Sequence, residues 1–327
     1  MPVLGGTSTV KLQDIVNAAR AYAELTPVLG ASGWEKEPAV SIANDTMQKM
    51  LAQNMNWKWN RAAATPFQTV ALQQDYVTNV LDLSWVEQGW RVDINNSSTP
   101  KPVFGLEAIQ DMARTSYQGT PFNISWVPNR LATMGTWSAN TEYPTSLGVA
   151  STPTSPIQQF IDANGNILFV TTYGTSGSSE PSAPTSSAAG VTVADGTVTW
   201  TVADPYGAAF RLAPMPASSG IVWQINPIYQ MKAPYFTSLQ TTLTPIPDDH
   251  VYLFRQGFMA MAYMHAGSPK FGAAYAQWEE ALFIALRAAD REQDNTTLYP
   301  STSLMGGESI GVPVGPANPY GFGGYGW

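Results

Sequence analysis

The sequence predicts an α+β fold: a helical bundle built from both chain ends, a β-rich middle, and a small β domain inserted into that middle. Three observations support this prediction. Apolar residues near both ends recur with the helical period of about 3.6, and those in the middle alternate with the period of about two that strands show. A segment rich in Pro, Ser and Thr interrupts the strand pattern and indicates a boundary.

Two helices are predicted near the N-terminus. Between Lys11 and Leu25 the apolar residues fall on one helical face. A second periodic run starts after Pro38, and proline is favoured in the first turn of a helix. The predicted bundle-core residues of these two helices are Leu12, Ile15, Met47 and Leu51.

Strand patterns dominate the middle of the chain. In LDLSWVEQGWRVDIN, alternating apolar residues flank Gln88-Gly89, which predicts a β-hairpin with its turn at that dipeptide. A short amphipathic helix is predicted from Leu106 to about Arg114. Strand patterns return after the inserted domain, in GIVWQINPIYQ, so we expect the sheet that precedes the insert to be completed after it.

A linker and an inserted β module are predicted over residues 143–207. The segment from Tyr143 to Pro156 has the composition of a linker. The clearest element beyond it is GVTVADGTVTW, where two alternating runs flank Asp195-Gly196, a dipeptide that favours tight hairpin turns. Residues 1–142 and 208–295 are then predicted to form one core domain, and residues 296–327 an extended C-terminal tail.

An αα-hairpin is predicted after the second strand region. The runs VYLFRQGFMAMAYMHAG and KFGAAYAQWEEALFIALRAADREQD are both periodic, and Gly267-Ser268-Pro269 between them carries the signals that end one helix and start the next. The predicted bundle-core residues of this pair are Phe254, Phe258, Trp278 and Leu282.

The composition favours a protein whose surface is covered by other subunits. Charged residues make up 12% of the 327 residues, about half the usual share. Interfaces lose charge and gain aromatic residues and methionine, as this chain does. The net charge of −8 argues against a protein that grips nucleic acid by its phosphates, because such a protein needs a basic face. No run approaches the length and apolarity of a membrane span, so no membrane partner is predicted.

The sequence predicts no enzyme, no metal site and no cofactor. Cysteine is absent, and the two histidines, His250 and His265, are too far apart along one predicted helix to chelate a metal. Asp248, which follows Pro247, is interpreted as a helix cap. Nucleotide-binding and nucleophile-elbow motifs are absent.

The segment YGTSGSSEP followed by GVTVADGTVTWTV resembles a small β module that recurs as an insertion in structural proteins of tailed bacteriophages. The residues that match its pattern are Gly177, Glu180, Pro181, Asp195, Gly196 and Trp200. The flanking segments IANDTMQKMLAQNMNWKWN and PIPDDHVYLFRQGFMAMAYMHAGSPKFGAAYAQWEEALFIALRAADRE resemble the head-to-tail adaptors, the tail tubular protein A type, of short-tailed phages. The simple adaptors lack the inserted module.

This resemblance implies a structural protein of the virion, made in the host cytoplasm and placed at the neck between head and tail. In that family a homo-oligomeric ring of about twelve subunits joins the portal protein to the tail tube or nozzle protein. The helices of both chain ends form a bundle beneath the portal, and DNA passes through the ring during ejection. C-terminal extensions of the family reach the portal, which implies portal binding by Tyr320, Phe322, Tyr325 and Trp327.

Two other functions stay open at this point. The many tryptophans and the β insert also fit a receptor- or carbohydrate-binding tail protein, although helical ends disfavour a tail spike. A virion hydrolase is the third possibility.

Overall fold

The structure is a computed structural model that describes residues 8–22, 24–29, 37–52, 55–93, 100–105, 118–143, 157–217 and 221–296. The chain divides into two compact units. The first, here called the β unit, contains Leu51–Pro234 and Thr244–Pro247. The second, called the helical unit, contains Thr9–Met50, Tyr235–Leu243 and the described residues from Asp248 onward.

The β unit is built on a mixed, curled sheet of eight strands. The order along the sheet is β1-β14-β4-β5-β7-β12-β3, with β2 paired to β14. Only β5 and β7 run parallel to each other within this sheet. The strands of the whole unit are β1 Arg61–Ala63, β2 Phe67–Gln68, β3 Asp75–Val80, β4 Leu83–Asp93, β5 Lys101–Gly105, β6 Gln118–Gly119, β7 Asn123–Pro128, β8 Gln159–Ile161, β9 Ile167–Thr172, β10 Thr192–Asp195, β11 Val198–Ala203, β12 Ala208–Ala213, β13 Met215–Pro216 and β14 Trp223–Met231.

The longest pairing of the sheet joins β4 to β14, from Trp223 opposite Asp93 to Met231 opposite Leu83. The hairpin predicted within β4 is wrong, because Gly89 lies inside one continuous strand. A Cβ atom at this glycine would lie 3.2 Å from the carbonyl oxygen of Asn226, so a small residue lets the two strands approach. Glycine here marks a close backbone contact and not a turn.

The apolar core of this sheet is formed by residues that are distant in sequence. It contains Tyr76, Val86, Ile124, Phe210 and Ile225, one from each of five strands. Strand β12 is buried along nearly its whole length, which explains its almost continuous apolar sequence, AAFRLA.

A second sheet of four strands, in the order β10-β11-β9-β8, also lies in the β unit. The hairpin predicted around Asp195-Gly196 is confirmed, because Thr192–Asp195 pairs antiparallel with Val198–Ala203. Gly196 has a φ of +62°, and a Cβ atom there would lie 2.4 Å from the carbonyl oxygen of Thr175. Only glycine fits this turn without strain.

The helical unit contains α1 Leu12–Arg20, α2 Thr26–Leu29, α3 Ala39–Met50, α4 Val251–His265 and α5 Phe271–Thr296. Helix α4 packs against both α3 and α5. At Gly257 of α4 a Cβ atom would come within 2.4 Å of the Trp278 ring and 2.9 Å of the Thr46 side chain. This glycine therefore sets the close approach of the helices on either side of α4.

The fold class predicted from the sequence is wrong. The structure is mostly β, with fourteen described strands in three sheets and few helices, and it is not built as a helical bundle from both chain ends. Amphipathic helices leave a strong periodic signal, whereas strands buried on both faces, such as β12, leave little alternation. The sequence pattern therefore gave the helices too much weight.

Some predictions concern segments outside the described residues: the helix from Leu106 to Arg114, most of the linker after Tyr143, and the C-terminal tail. The division into residues 1–142 with 208–295, 143–207 and 296–327 stays a prediction.

Candidate functional site

The β unit contains a cleft of about 720 Å³. It lies among the edge regions of the eight-stranded sheet and strand β9 of the four-stranded sheet. Its lining is mostly apolar and aromatic, with several amide side chains. The residues that line it are Ala63, Ala64, Thr65, Pro66, Phe67, Gln73, Tyr76, Val77, Thr78, Asn79, Val80, Leu81, Asp82, Gln158, Gln159, Phe169, Val170, Thr171, Tyr173, Gln224 and Tyr229.

Stacked aromatic rings, fixed by hydrogen bonds of one of them, form one wall of the cleft. Phe67 stacks on Tyr76, with ring centroids 4.4 Å apart. The hydroxyl of Tyr76 accepts a hydrogen bond from the Val70 amide at 3.0 Å and donates to the carbonyl oxygen of Gln73 at 2.9 Å. Burial raises the pKa of Tyr76 well above its usual value, so the hydroxyl stays protonated.

Two glutamines connect the sheets beside the cleft. The Oε1 atom of Gln159 accepts a hydrogen bond from the amide of Val77, on edge strand β3, at 2.9 Å. The Oε1 atom of Gln73 accepts from the Gln158 amide at 3.0 Å, and its Nε2 donates to the carbonyl oxygen of Asp75 at 2.9 Å. These glutamine side chains form hydrogen bonds with backbone amide and carbonyl groups that would otherwise be free to pair with a strand of another chain.

Two polar groups of the cleft have no partner among the described residues. Gln158 is 6% exposed, and its buried Nε2 atom makes no hydrogen bond. The half-buried Tyr173 has no described hydrogen bond from its hydroxyl, and burial raises its pKa. A buried donor without a partner is costly and marks a place where a ligand can compensate.

The electrostatics of the cleft are nearly neutral. Asp82 is the only carboxylate in the lining, where it accepts a hydrogen bond from the Tyr229 hydroxyl at 2.9 Å. Burial and this bond together raise the pKa of Tyr229. No Lys, Arg or His lines the cleft in the described structure, so it offers no counter-charge to an anion.

The residues that carry the resemblance to the phage module have structural roles in the four-stranded sheet. The buried Asp195 accepts hydrogen bonds from the indole nitrogens of Trp137 and Trp200, at 2.8 and 3.0 Å, and from the Gly177 amide at 2.6 Å. Gly177 must be small, since a Cβ atom there would lie 2.8 Å from the Asp195 carboxylate. Asp195 is thus the polar centre of this sheet.

The other two matching residues contribute differently. Pro181 is buried, and Glu180 is exposed and takes no part in the centre around Asp195.

The residues predicted as the bundle core are all buried. Seven of them lie in the helical unit and Leu51 lies in the β unit. They are Leu12, Ile15, Met47, Leu51, Phe254, Phe258, Trp278 and Leu282. The residues predicted to bind the portal, Tyr320, Phe322, Tyr325 and Trp327, lie outside the described residues.

Asp248 does not cap helix α4 as predicted. The N-cap position is His250, and the Asp248 carboxylate accepts hydrogen bonds from the amide and the hydroxyl of Thr9, at 3.0 and 2.7 Å. It ties the start of the described chain to the segment before α4. In the described ranges, no group of three or more acidic or histidine residues is placed to hold a metal ion.

Sequence reasoning missed the cleft completely. Its lining comes from segments as far apart as Ala63 and Tyr229, and its glutamines carry no motif. The only available signal was the unusual run Gln73-Gln74 and Gln158-Gln159 at the borders of strand patterns.

Among the described helices, none is both long and apolar enough to cross a bilayer. Comparison of the chain with models of protein families, with curated proteins and with solved structures gave no match.

Proposed function

We propose that this protein is a structural component of a tailed-phage virion, a subunit of the head-to-tail adaptor ring that joins the portal to the tail and lines the DNA channel. The observation that carries the assignment to a virion is the centre of the four-stranded sheet, whereas the adaptor role rests on the flanking segments that resemble the adaptors. Gly177, Asp195, Gly196 and Trp200 match the phage module and meet in this small sheet: Asp195 accepts hydrogen bonds from the Gly177 amide and the Trp200 indole, and neither glycine has room for a Cβ atom. A match at residues with such joint structural roles supports a true relationship to the module over a chance similarity.

The surface of α5 supports assembly into an oligomer. Phe283 and Ile284, which are adjacent, are 49% and 61% exposed. They lie in the segment that resembles the phage adaptors. Large apolar side chains exposed side by side are typical of surfaces that a partner covers. In this proposal the neighbouring subunit of the ring covers them.

The net charge of the chain supports a channel through which DNA passes, and not a surface that binds DNA. The net charge of −8 repels the phosphate backbone, so a ring of such subunits does not retain DNA during ejection. The proposed partners are the portal protein, the tail tube or nozzle protein, and further copies of this chain. The portal contact is assigned to Tyr320, Phe322, Tyr325 and Trp327.

Electron microscopy of the purified full chain in negative stain tests the proposal. We expect closed rings, and labelled protein at the neck of virions. A peripheral fibre would support the receptor- or carbohydrate-binding alternative and would refute the adaptor. Phe283→Ser is expected to shift rings toward monomers without loss of secondary structure. Leu131→Ser, which replaces a side chain 63% exposed in the β unit, is the matched control and should leave rings intact.

A truncation after Asn295 tests the portal contact. We expect the shortened chain to keep its circular dichroism spectrum while attaching more weakly to portal-bearing heads. Undiminished occupancy on the heads would show that the four aromatic residues are not the anchor.

A further inference from the structure

The cleft of the β unit combines aromatic walls with unpartnered polar groups. Phe67, Phe169 and Tyr173 line it and are each only partly buried. A volume of about 720 Å³ falls within the range of about 300–1,000 Å³ in which proteins hold small ligands. Ligands for such a site present apolar surface and a few hydrogen-bonding groups together.

The polar groups of the cleft that have no described partner can bond to a ligand that both donates and accepts hydrogen bonds. Gln158 offers an amide that is 94% buried and whose Nε2 has no partner in the described structure. The last torsion of a glutamine is broad, so either amide atom can turn to the cleft. The Tyr173 hydroxyl can also donate or accept. Hydroxyl groups of a ligand fit both, because each hydroxyl donates one hydrogen bond and accepts others.

The charge of the lining selects against anions. Asp82 is the single ionisable carboxylate, and no cationic side chain belongs to the described lining. A phosphate or a nucleic acid would face a carboxylate without any compensating charge. An anionic ligand is therefore disfavoured, and a ligand with neutral hydroxyl groups fits the amide and hydroxyl groups of the lining.

A peptide strand fits this place less well than a small polyol. Adding a strand requires free backbone groups on a sheet edge. On the neighbouring edge strand β3, the amide of Val77 is already bound by the Gln159 side chain. The cleft thus offers side-chain groups and aromatic surface, which is the chemistry that recognises sugars.

We propose that the cleft binds a neutral oligosaccharide, with Tyr173 and Phe169 packing against sugar rings and the Gln158 amide and Tyr173 hydroxyl bonding to sugar hydroxyls. The site is independent of the ring proposal, since it lies within one unit of a single chain. A ring subunit and a peripheral tail protein could each carry it.

Ligand-detected NMR with the full chain tests this site. Maltotriose, cellotriose and N,N′,N″-triacetylchitotriose serve as neutral probes, and at least one is expected to bind with a Kd of about 1 mM or tighter. Tyr173→Ala and Gln158→Leu are each expected to weaken that binding about tenfold. Tyr206→Ala is the control, because Tyr206 is a 70% exposed tyrosine of the same unit that does not line the cleft. It should leave binding unchanged.

Two further experiments provide a fallback for a Tyr173→Ala variant that does not fold and test whether the cleft disfavours anions. If Tyr173→Ala does not fold, Tyr173→Phe removes only the hydroxyl and should still weaken binding severalfold. Sialyllactose, which carries a carboxylate, is expected to bind more weakly than lactose at low salt. The proposal is overturned if none of the neutral sugars binds, if Tyr173 and Gln158 variants bind as well as the Tyr206 control, or if sialyllactose binds more tightly than lactose. Each result is separate from whether rings form.

Discussion

The two sheets of the β unit each hold a buried aspartate, but they give it different partners. In the four-stranded sheet, Asp195 accepts hydrogen bonds from two indoles and one backbone amide, all of them neutral donors. In the eight-stranded sheet, Asp75 forms an ion pair with Arg211, with N···O distances of 2.6 and 2.9 Å. It also accepts from the amide and the hydroxyl of Thr133.

The difference follows the connectivity of the sheets. Trp200 lies five residues from Asp195, within one hairpin. Arg211 lies 136 residues from Asp75, on a strand that follows the four-stranded sheet in the sequence. A bidentate guanidinium and carboxylate pair adds orientation as well as attraction. We infer that the ion pair fixes the alignment of two distant strands. The neutral hydrogen bonds of Asp195 hold its hairpin together through Trp200 and attach it to Gly177 and Trp137, which are 18 and 58 residues away in the chain.

The largest expected effect comes from Trp200, at the centre of the four-stranded sheet. Its fully buried ring packs edge-on against Tyr143 and Phe160, with centroids 5.0 and 4.9 Å apart. Trp200→Ala should lower the free energy of unfolding by about 3–5 kcal/mol, through lost apolar contact and a cavity. Hydrogen exchange should show faster opening of β9 and β11 than of β4 and β14.

Trp90→Ala is the control for this change, since Trp90 lies on β4 and is 37% exposed. Equal acceleration of exchange in both sheets by Trp200→Ala would show that they open as one unit, and the comparison between them would fail.

A matched pair of isosteric changes tests the two aspartates. Asp75→Asn replaces the charged partner of Arg211 and should cost about 1.5–3 kcal/mol, because hydrogen bonds between charged groups are lost. Asp195→Asn keeps one acceptor oxygen for its neutral donors and should cost less, about 1–2 kcal/mol. Denaturant unfolding of both variants measures the difference. A larger loss for Asp195→Asn would contradict the roles assigned here.

The sequence predicted the local hairpin at Gly196 and the completion of the larger sheet after the insert, which β12 and β14 confirm, but it did not predict which distant strands pair. The hairpin at Gly196 was predicted from eleven consecutive residues and is present. The pairing of β14 with β4 and of β12 with β7 has no local signal, since strand partners eighty or more residues apart are chosen by the packing of the whole core. The same applies to the cleft, whose walls come from strands of both sheets. The predicted fold class was wrong because strands buried on both faces, such as β12, leave little alternation in the sequence.

The contribution of Asp162, in the turn between β8 and β9, to the stability of the fold is expected to depend on pH. Burial pushes the pKa of Asp162 up, but hydrogen bonds from Asn166, Ala183 and Asn164 favour the ionised form and hold it below its usual value. Because the folded pKa is lowered, the ionised carboxylate stabilises the fold above about pH 3.8. This contribution is lost as the pH falls through the folded pKa.

Asp162→Asn should therefore cost about 1–2 kcal/mol at neutral pH, with the difference from the unaltered chain shrinking on acidification. Unfolding at a series of pH values measures it. Asp204→Asn is the control, since the carboxylate of Asp204 accepts a single described hydrogen bond, from the Tyr206 amide. A pH-independent loss at Asp162 would mean that side-chain shape, and not charge, stabilises the turn.

The smallest expected loss of stability comes from removing one threonine hydroxyl at a β-bulge in each sheet. Each sheet has a bulge where a threonine hydroxyl donates to a backbone carbonyl: Thr78 to Ala208 at 2.6 Å in the larger sheet, and Thr171 to Thr199 at 3.2 Å in the smaller one. Thr→Val keeps the branched shape and removes the hydroxyl. Since Thr78 is half-buried and makes the shorter bond to a carbonyl, Thr78→Val should lower the free energy of unfolding by about 1 kcal/mol. Thr171→Val, at an exposed position, should lower it by about 0.2–0.5 kcal/mol.

Thermal unfolding of both variants measures which change is the more destabilising. Thr172→Val is the control, because Thr172 is exposed and has no described side-chain hydrogen bond. If Thr171→Val proves the more damaging, its contact with the Thr201 hydroxyl at 2.8 Å is the stronger interaction, and the smaller sheet depends on side-chain bonding at its bulge more than the larger one does.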